Sequence, residues 1–232
     1  MLKTTLMFGS IGTIMETSDV QRRAYNQALK EAGLDWLWTR EIYSELITQS
    51  GGQERLAMLA SATNAGLSQQ QIESIHSRKT AIACAELSAN PTPLRRGVAE
   101  LIQWAKERRM KLAFVTTTNQ PNIDAIFQSA TGVLSKDDFD YIGSNTQVTC
   151  GKPWPEAYVT ALKHTGSLAV QTMAIEDTAV SVMSAKRAGL QVVATPGNMS
   201  AGQDFWQADL VATSLLDDAG NLDARVLAML KG

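Results

Sequence analysis

The sequence has few of the features that would place it in a specialised class of protein. Among its 232 residues are only two cysteines, Cys84 and Cys150, which form no motif and favour a reducing, cytoplasmic setting. The formal net charge is −2, so a nucleic acid or an anionic membrane is not expected as a partner. No apolar run approaches the roughly 18 residues of a transmembrane helix, and no signal peptide precedes the first predicted strand. We therefore expect a soluble cytoplasmic protein.

The apolar and charged contents, 44% and 19%, are those of a chain with a sizeable core. Strand and helix patterns alternate through its second half, and the buried strands are predicted at residues 112–115, 141–142, 173–175, 192–194 and 208–212. Together with a first apolar run at residues 6–8, this alternation predicts an α/β fold. Its centre would be a parallel sheet with helices on both faces.

Residues 17–89 carry helical patterns and no strand pattern. Gly33 is predicted to end one of these helices and Ser68 to cap another. The segment Asn90-Pro91-Thr92-Pro93 closes the block, because two prolines in four residues disfavour helix. The predicted division is an α/β core domain of residues 1–16 and 90–232 and an inserted helical domain of residues 17–89.

The first apolar run ends in a turn that contains Gly9 and Gly12. Glycine lets the chain turn at the carboxyl end of a strand, and in open α/β sheets ligands bind at that edge. Ser10 alternates with Gly9, so its hydroxyl is expected to point away from this edge. The turn is therefore the first candidate part of a site.

Three later segments bring polar side chains to the same edge. Thr116 and Thr117 lie between a strand and a helix, where hydroxyl and N–H groups suit a phosphoryl group, although a turn with a helix cap explains them equally well. Lys152 could neutralise a phosphate or a carboxylate, or be a solvated loop lysine. Glu176 and Asp177 end another strand. Adjacent carboxylates suit Mg²⁺, although Asp177 could simply cap the next helix.

In their order and placement these segments resemble the signatures of the haloacid-dehalogenase-like (HAD) phosphatases. The first segment agrees with hydrophobic-F-D-x-D-G-T-hydrophobic at four positions, and the later matches are Gly151-Lys152-Pro153-x-Pro155 and Glu176-Asp177-Thr178. The resemblance covers nearly the whole chain and implies a HAD-like Rossmannoid core with a small helical cap. It also implies that Thr116 and Thr117 hold phosphate, that Lys152 fixes the nucleophile and the phosphate, and that Asp177, with Glu176, holds Mg²⁺.

The chain departs from the family pattern at the two residues that perform the chemistry. Gly9 stands where the resemblance places the nucleophilic Asp, and Ile11 stands where it places the acid/base Asp. Neither side chain can attack phosphorus or transfer a proton, and loss of a nucleophile can cost on the order of 10⁶ in kcat. We therefore predict lost phosphatase activity, weakened or absent Mg²⁺ binding, and an ion pair between Lys152 and Asp177 in the place of the metal.

A narrower resemblance lies in the predicted helical domain. The segments Ala24-Tyr25-Asn26, Gly33-Leu34-Asp35-Trp36 and Gly51-Gly52-Gln53-Glu54-Arg55 are similar to the CbbY group of sugar-bisphosphate phosphatases. That group has a lysine at the position of Gln53, so one cation for a second phosphate is missing. Arg55 is retained and could reach an anionic substrate, or it could be an exposed helix residue.

Three functions follow from this pattern. The first is a non-catalytic phosphatase homologue that binds a small phosphorylated metabolite. The second is an enzyme that acts on a sugar phosphate with non-standard residues, such as Glu176 or Asp177 as the base for an attacking water. His76 and His164 are isolated, with no serine or cysteine placed to form a triad. The third is a non-enzymatic interaction protein in which the pocket is vestigial.

Overall fold

A parallel six-stranded sheet forms the centre of the computed structural model, which describes residues 1–9 and 11–232. The strands are β1 (Thr5–Phe8), β2 (Lys111–Phe114), β3 (Tyr141–Ile142), β4 (Thr172–Glu176), β5 (Gln191–Ala194) and β6 (Leu210–Val211). Their order is β3-β2-β1-β4-β5-β6, with β1 between β2 and β4. The expectation about the Ser10 hydroxyl lies outside the described residues.

The described residues also form ten α-helices. They are α1 (Ile11–Ile14), α2 (Ser18–Glu31), α3 (Arg40–Leu46), α4 (Gly52–Ala62), α5 (Gln69–Ala89), α6 (Val98–Glu107), α7 (Gln120–Ser129), α8 (Glu156–Thr165), α9 (Ala179–Arg187) and α10 (Ala224–Lys231). None of these helices combines the length and the apolar character needed to cross a membrane. The predicted α/β class is confirmed.

Apolar side chains cover both faces of the sheet. Successive strand residues point to opposite faces, so Leu6 and Phe8 of β1 pack in one cluster and Met7 packs in the other. Residues of α6, α7 and α10 complete the first cluster, and residues of α8 and α9 complete the second. Burial on both faces explains why the strands are apolar runs without alternation.

The helical segment between β1 and α6 has a buried cluster of its own. Its largest members are Tyr25, Trp38, Tyr43 and Leu56, and Met199 joins them from outside the segment. Ser68 caps α5 as predicted, because its hydroxyl accepts from the Gln71 N–H while the Gln71 side chain accepts from the Ser68 N–H. The inserted domain of residues 17–89 stays our proposal, and this separate cluster supports it.

The two connections between the helical segment and the sheet run side by side. Met15 and Leu94 form an antiparallel bridge. Next to it, the Arg95 guanidinium donates through Nη1 to the Gly12 carbonyl at 3.0 Å and to the Thr195 carbonyl at 2.6 Å. One arginine therefore ties the turn after β1 to the loop after β5.

Two elements differ from the prediction. The last strand is Leu210–Val211 and not residues 208–212, because the Asp209 side chain accepts the Val192 N–H at 2.8 Å at the edge of the sheet. The helix Ile11–Ile14 was not predicted, since four residues are too few to show helical periodicity.

Candidate functional site

The predicted site residues meet at the carboxyl edge of the sheet. Strand β1 pairs in register with β2 and β4, so that Phe8 lies beside Phe114 and Ile175. Gly9 follows β1 directly, and its N–H donates to the Ile175 carbonyl at 2.9 Å. Because neighbouring parallel strands end together, Thr116 and Asp177 emerge on either side of it.

Lys152 and Glu176 form a buried ion pair at this edge. The distance from Lys152 Nζ to Glu176 Oε1 is 2.6 Å, and the two side chains are 2% and 0% exposed. The Tyr158 hydroxyl donates to the same oxygen. Burial, and then the charge of Glu176, raises the pKa of Tyr158 well above its usual range, so this phenol stays a proton donor. The alternative of Lys152 as a solvated loop lysine is therefore wrong.

The ion pair contains Glu176, whereas we predicted Asp177. Glu176 shares a face of β4 with Ala174, which packs in the same cluster as Tyr158, so its side chain reaches the loop that carries Lys152. The Asp177 carboxylate lies against Gly12, and its Oδ1 accepts from the Thr13 hydroxyl at 3.4 Å. The helix-cap alternative for Asp177 is also wrong, because the N-cap residue of α9 is Thr178.

Both glycines of the first segment are in close contact with a carboxylate. A Cβ built on Gly9 would lie 2.1 to 2.2 Å from the carboxylate atoms of Glu176. A Cβ built on Gly12 would lie 1.9 Å from Asp177 Oδ2. Real Cβ atoms essentially never come within 3.0 Å of such atoms. In this conformation only glycine fits at either position.

Ile11 follows in the same segment as an apolar residue of the core. It is half-buried and packs against the cluster that covers the first face of the sheet. An isoleucine in this position contributes packing and no proton transfer. The edge therefore has neither of the two aspartates that the family pattern carries here.

Thr116 lies in the turn after β2. It is buried, and its hydroxyl accepts from the Thr118 N–H at 3.1 Å, while Thr117 is half-buried. Asn119 caps α7, because its side-chain oxygen accepts from the Asn122 N–H at 3.2 Å. The turn and the cap of our alternative interpretation are thus both present. The phosphate-binding role of Thr116 and Thr117 stays a prediction.

The carboxylates present do not fit a divalent cation as they are arranged. Over residues 1–9 and 11–232, no group of three or more His, Cys, Asp or Glu side chains could hold a metal ion. Of the two acids at the edge, Glu176 already accepts from Lys152 and Tyr158. A divalent cation prefers several oxygen ligands, and here an ammonium lies against the nearest of them.

Arg55 lies on α4 of the helical segment. It is half-buried, its Nε donates to the Gly51 carbonyl at 3.0 Å, and its guanidinium carbon is 6.0 Å from the centre of the Tyr43 ring. Within the described part of the chain its buried Nη1 has no hydrogen-bond partner. Arg55 is therefore not the exposed helix residue of our alternative, and one of its donors points into the interior of the helical segment.

Two further basic residues share this interior. Lys79 is buried 4.6 Å from the centre of the Tyr25 ring, and burial, followed by the charge of Arg55, lowers its pKa to about 7. Burial and the charges of Lys79 and Arg55 lower the pKa of His76 to about 4. We refer to Arg55, His76 and Lys79 as the cap cluster.

The sequence analysis missed Lys79 and treated His76 as isolated. A signal for Lys79 was present, because it falls on the buried stripe of α5 between Ile75 and Ala83, at helical spacing from both. A lysine in an apolar stripe indicates either a buried charge or a binding group. His76 offered no comparable signal.

Comparisons with known proteins identify the family. A model of haloacid dehalogenase-like hydrolases matches residues 5–189. This chain belongs to the haloacid dehalogenase-like hydrolase family. The predicted family is thus confirmed.

Among the relatives, CbbY proteins are the most informative. The chain is 36% identical over 204 residues to protein CbbY of Rhodobacter capsulatus, covering 88% of this chain and 90% of that protein. The match to protein CbbY of Cereibacter sphaeroides is 34% over 215 residues, with 93% and 94% covered. The resemblance to the CbbY branch is confirmed.

Solved structures give the same result. An Asp-to-Asn mutant of CbbY from Rhodobacter sphaeroides, in complex with xylulose-(1,5)bisphosphate, matches with a TM-score of 0.85 and 33% identity, covering 96% of this chain and 100% of that chain. A β-phosphoglucomutase from Clostridium difficile matches with a TM-score of 0.79 over 99% and 97% of the two chains, but at 15% identity it supports the fold alone.

Proposed function

We propose that this protein is a non-catalytic member of the HAD family that binds a small phosphorylated metabolite. The observation that carries the proposal is the Lys152–Glu176 ion pair beside Gly9. In the family pattern this lysine fixes a nucleophile and a phosphate. Here Lys152 already forms an ion pair with a carboxylate of the protein itself, that of Glu176.

The first reason is that Gly9 and Ile11, at the two positions where the family pattern carries its catalytic aspartates, have no group that could attack phosphorus. Gly9 has no side chain, and Ile11 is packed against the core. Covalent catalysis requires a nucleophile with an adjacent acid or base, and neither of these residues supplies one. A loss on the order of 10⁶ in kcat is the scale expected when a nucleophile is removed.

The second reason is that the remaining acids are poorly placed to replace them. Glu176 is 0% exposed and accepts from Lys152 and Tyr158, so neither water nor a substrate reaches its carboxylate. Asp177 is 8% exposed, with its carboxylate against Gly12. A general base must lie within hydrogen-bond reach of the water it activates. This geometry disfavours the alternative of an active hydrolase with non-standard residues.

The third reason concerns the ligand. In the absence of a fitting Mg²⁺ site, Arg55 and Lys79 of the cap cluster supply the cationic groups, and an Arg55 Nη1 atom without a partner among the described residues supports an anion as its partner. Thr116 and Thr117 are proposed to contact a phosphate at the sheet edge, and Lys152 contributes less because Glu176 neutralises it. CbbY from Rhodobacter sphaeroides holds a sugar bisphosphate, so we propose a phosphorylated sugar as the ligand.

Two measurements on the purified protein test the proposal. A phosphatase assay with sugar phosphates and Mg²⁺ is expected to show no turnover above background, and calorimetry with the same compounds is expected to show binding. Arg55→Gln should weaken that binding by about tenfold or more, while Lys30→Gln, which removes an exposed charge on α2, should not change it.

The outcomes separate the three functions. Turnover at ordinary rates, about 1 to 10³ per second, would overturn the non-catalytic assignment. Absence of both turnover and binding would overturn the metabolite assignment and favour the interaction protein. Binding that is unchanged in Arg55→Gln would remove the cap cluster from the site.

A further inference from the structure

We propose that Glu176 in its present place and a side chain at position 9 exclude one another, because the Glu176 carboxylate fills the space at the end of β1. The same carboxylate supplies the negative charge for Lys152. The proposal concerns the protein's own packing and is independent of the ligand.

The first step is steric. Gly9 does not have the left-handed backbone conformation that favours glycine. Its backbone would therefore accept an L-amino acid. The obstacle is the Glu176 carboxylate, whose three atoms lie 2.1 to 2.2 Å from the position of a Cβ. Space, and not backbone geometry, requires glycine here.

The second step is electrostatic. The Lys152 side chain is 2% exposed, and a buried ammonium without a counter-charge is strongly destabilising. Glu176 Oε1 provides that charge at 2.6 Å. The carboxylate at Gly9 is thus the counter-ion that keeps Lys152 charged in the interior.

The third step concerns how firmly Glu176 is held. Its carboxylate accepts from Lys152 in the loop before α8 and from the Tyr158 hydroxyl on α8, and it shares the single proton of the Thr13 hydroxyl on α1 with Asp177, at 3.5 and 3.4 Å. Moving it aside breaks contacts with three parts of the chain. The clash at position 9 is therefore not relieved by a cheap rotation of a flexible side chain.

A consequence follows for any attempt to restore the family pattern. An aspartate introduced at position 9 would place a second carboxylate against Glu176 and Lys152, and two close carboxylates repel one another. The first effect of Gly9→Asp is then a loss of stability, and Glu176 must leave its place before the new side chain can occupy the site.

A double-mutant cycle in thermal unfolding tests this exclusion. In the unmodified protein Gly9→Ala is expected to lower Tm by on the order of 10 °C. In a Glu176→Ala background the same change should shift Tm by less than about 2 °C, because the space is empty. Gly202→Ala is the control, since no atom of residues 1–9 and 11–232 outside its immediate neighbours lies within 4 Å of its built Cβ, and its effect should be small in both backgrounds.

A second background separates volume from charge. Glu176→Gln keeps the size of the side chain and removes its charge, so Gly9→Ala should remain as harmful there as in the unmodified protein. If Gly9→Ala alone fails to fold but folds together with Glu176→Ala, the exclusion is supported. Equal effects of Gly9→Ala in the unmodified and Glu176→Ala proteins would overturn it, and so would a neutral Gly9→Ala.

Sodium formate provides a direct probe of the space. In Glu176→Ala, formate should raise Tm with increasing concentration at constant ionic strength, because a small carboxylate can enter beside Lys152. The unmodified protein should show no such increase. A formate effect of equal size in both proteins would contradict the assignment of Glu176 as the counter-ion.

Discussion

The carboxyl edge of the sheet and the interior of the helical segment differ in whether their buried cations have an acidic partner. At the edge, Lys152 is matched by Glu176 at 2.6 Å and the Tyr158 hydroxyl completes the arrangement. In the cap cluster, burial lowers the pKa of Lys79 to about 7, and the Arg55 Nη1 atom is buried with no partner among the described residues. The edge has internal compensation, whereas the cap cluster has basic groups suited to an external anion.

The largest expected effect comes from breaking the compensated pair at the edge. Lys152→Met leaves the Glu176 carboxylate buried without its cation, and we expect a loss of about 4 kcal/mol in the free energy of unfolding, measured with urea. Combining Lys152→Met with Glu176→Leu should recover most of this loss. As the control, Lys186→Met removes a 31%-exposed cation from Asp209 and should cost less than about 1 kcal/mol. A double variant no more stable than Lys152→Met would contradict the compensation.

The next effect should have the opposite sign, because Lys79 is in the uncompensated region. Its pKa is about 7 in the folded protein against 10.5 when unperturbed, so the native state binds fewer protons than the unfolded state between these pH values. Stability should therefore rise with pH through this window, and the charged lysine destabilises most below pH 7. Lys79→Met is expected to raise the free energy of unfolding by about 3 kcal/mol at pH 7, and this gain should vanish above pH 10.5.

Urea unfolding of Lys79→Met at pH 7, 8.5 and 10 checks both the sign and the trend. Lys30→Met, at an exposed position of α2, serves as the control and should be neutral at each pH. A gain that does not change with pH would assign the effect to packing and not to the charge.

A smaller loss of stability is expected on removal of Arg95, which lies beside the two connections between the helical segment and the sheet. The Arg95 guanidinium donates to the carbonyls of Gly12, Thr195 and Pro196. Arg95→Met would leave these acceptors without their donor and should cost about 2 kcal/mol in urea unfolding. Arg96→Met removes one exposed bond and should cost under about 0.5 kcal/mol. Equal costs would show that the connection does not depend on Arg95.

The smallest expected effect concerns one helix N-cap in each region, Ser68 on α5 and Thr178 on α9. Ser68→Ala removes the hydroxyl that accepts the Gln71 N–H and leaves the bond from the Ser68 N–H to the Gln71 side chain, and it should cost about 1 kcal/mol, measured by urea unfolding. Thr178 is the N-cap residue of α9 in the core but makes no side-chain cap bond, so Thr178→Ala should cost much less. If the two costs are the same, the Ser68 hydroxyl contributes nothing to the stability of α5.

Much of the fold was readable in the sequence because its signals are local. The strand Tyr141–Ile142 has the bounds that the apolar pattern predicted, and Ser68 caps α5 as expected. Each depends on the chemistry of a few neighbouring residues. The meeting of Lys152 with an acid at the end of β4 followed from the family resemblance.

The details of the site were less predictable, because they depend on which way a side chain turns at the end of a strand. Glu176 and Asp177 are neighbours in the sequence, yet the Glu176 carboxylate lies against Gly9 and accepts from Tyr158, whereas the Asp177 carboxylate lies against Gly12. Choosing between them required the position of α8 relative to the sheet. The closeness of Glu176 to Gly9 depends in the same way on strands 167 residues apart in the chain pairing side by side.

The length of the Glu176 side chain determines how the end of β4 packs against the end of β1. Glutamate carries one methylene more than aspartate, and that extra reach brings its head group across to β1. A shorter acid at the end of β4 would leave a hole about the size of a methyl group, at a cost of about 1 kcal/mol, together with a stretched contact to the ammonium. The reach of this single side chain therefore keeps the end of β1 filled although Gly9 has no side chain there.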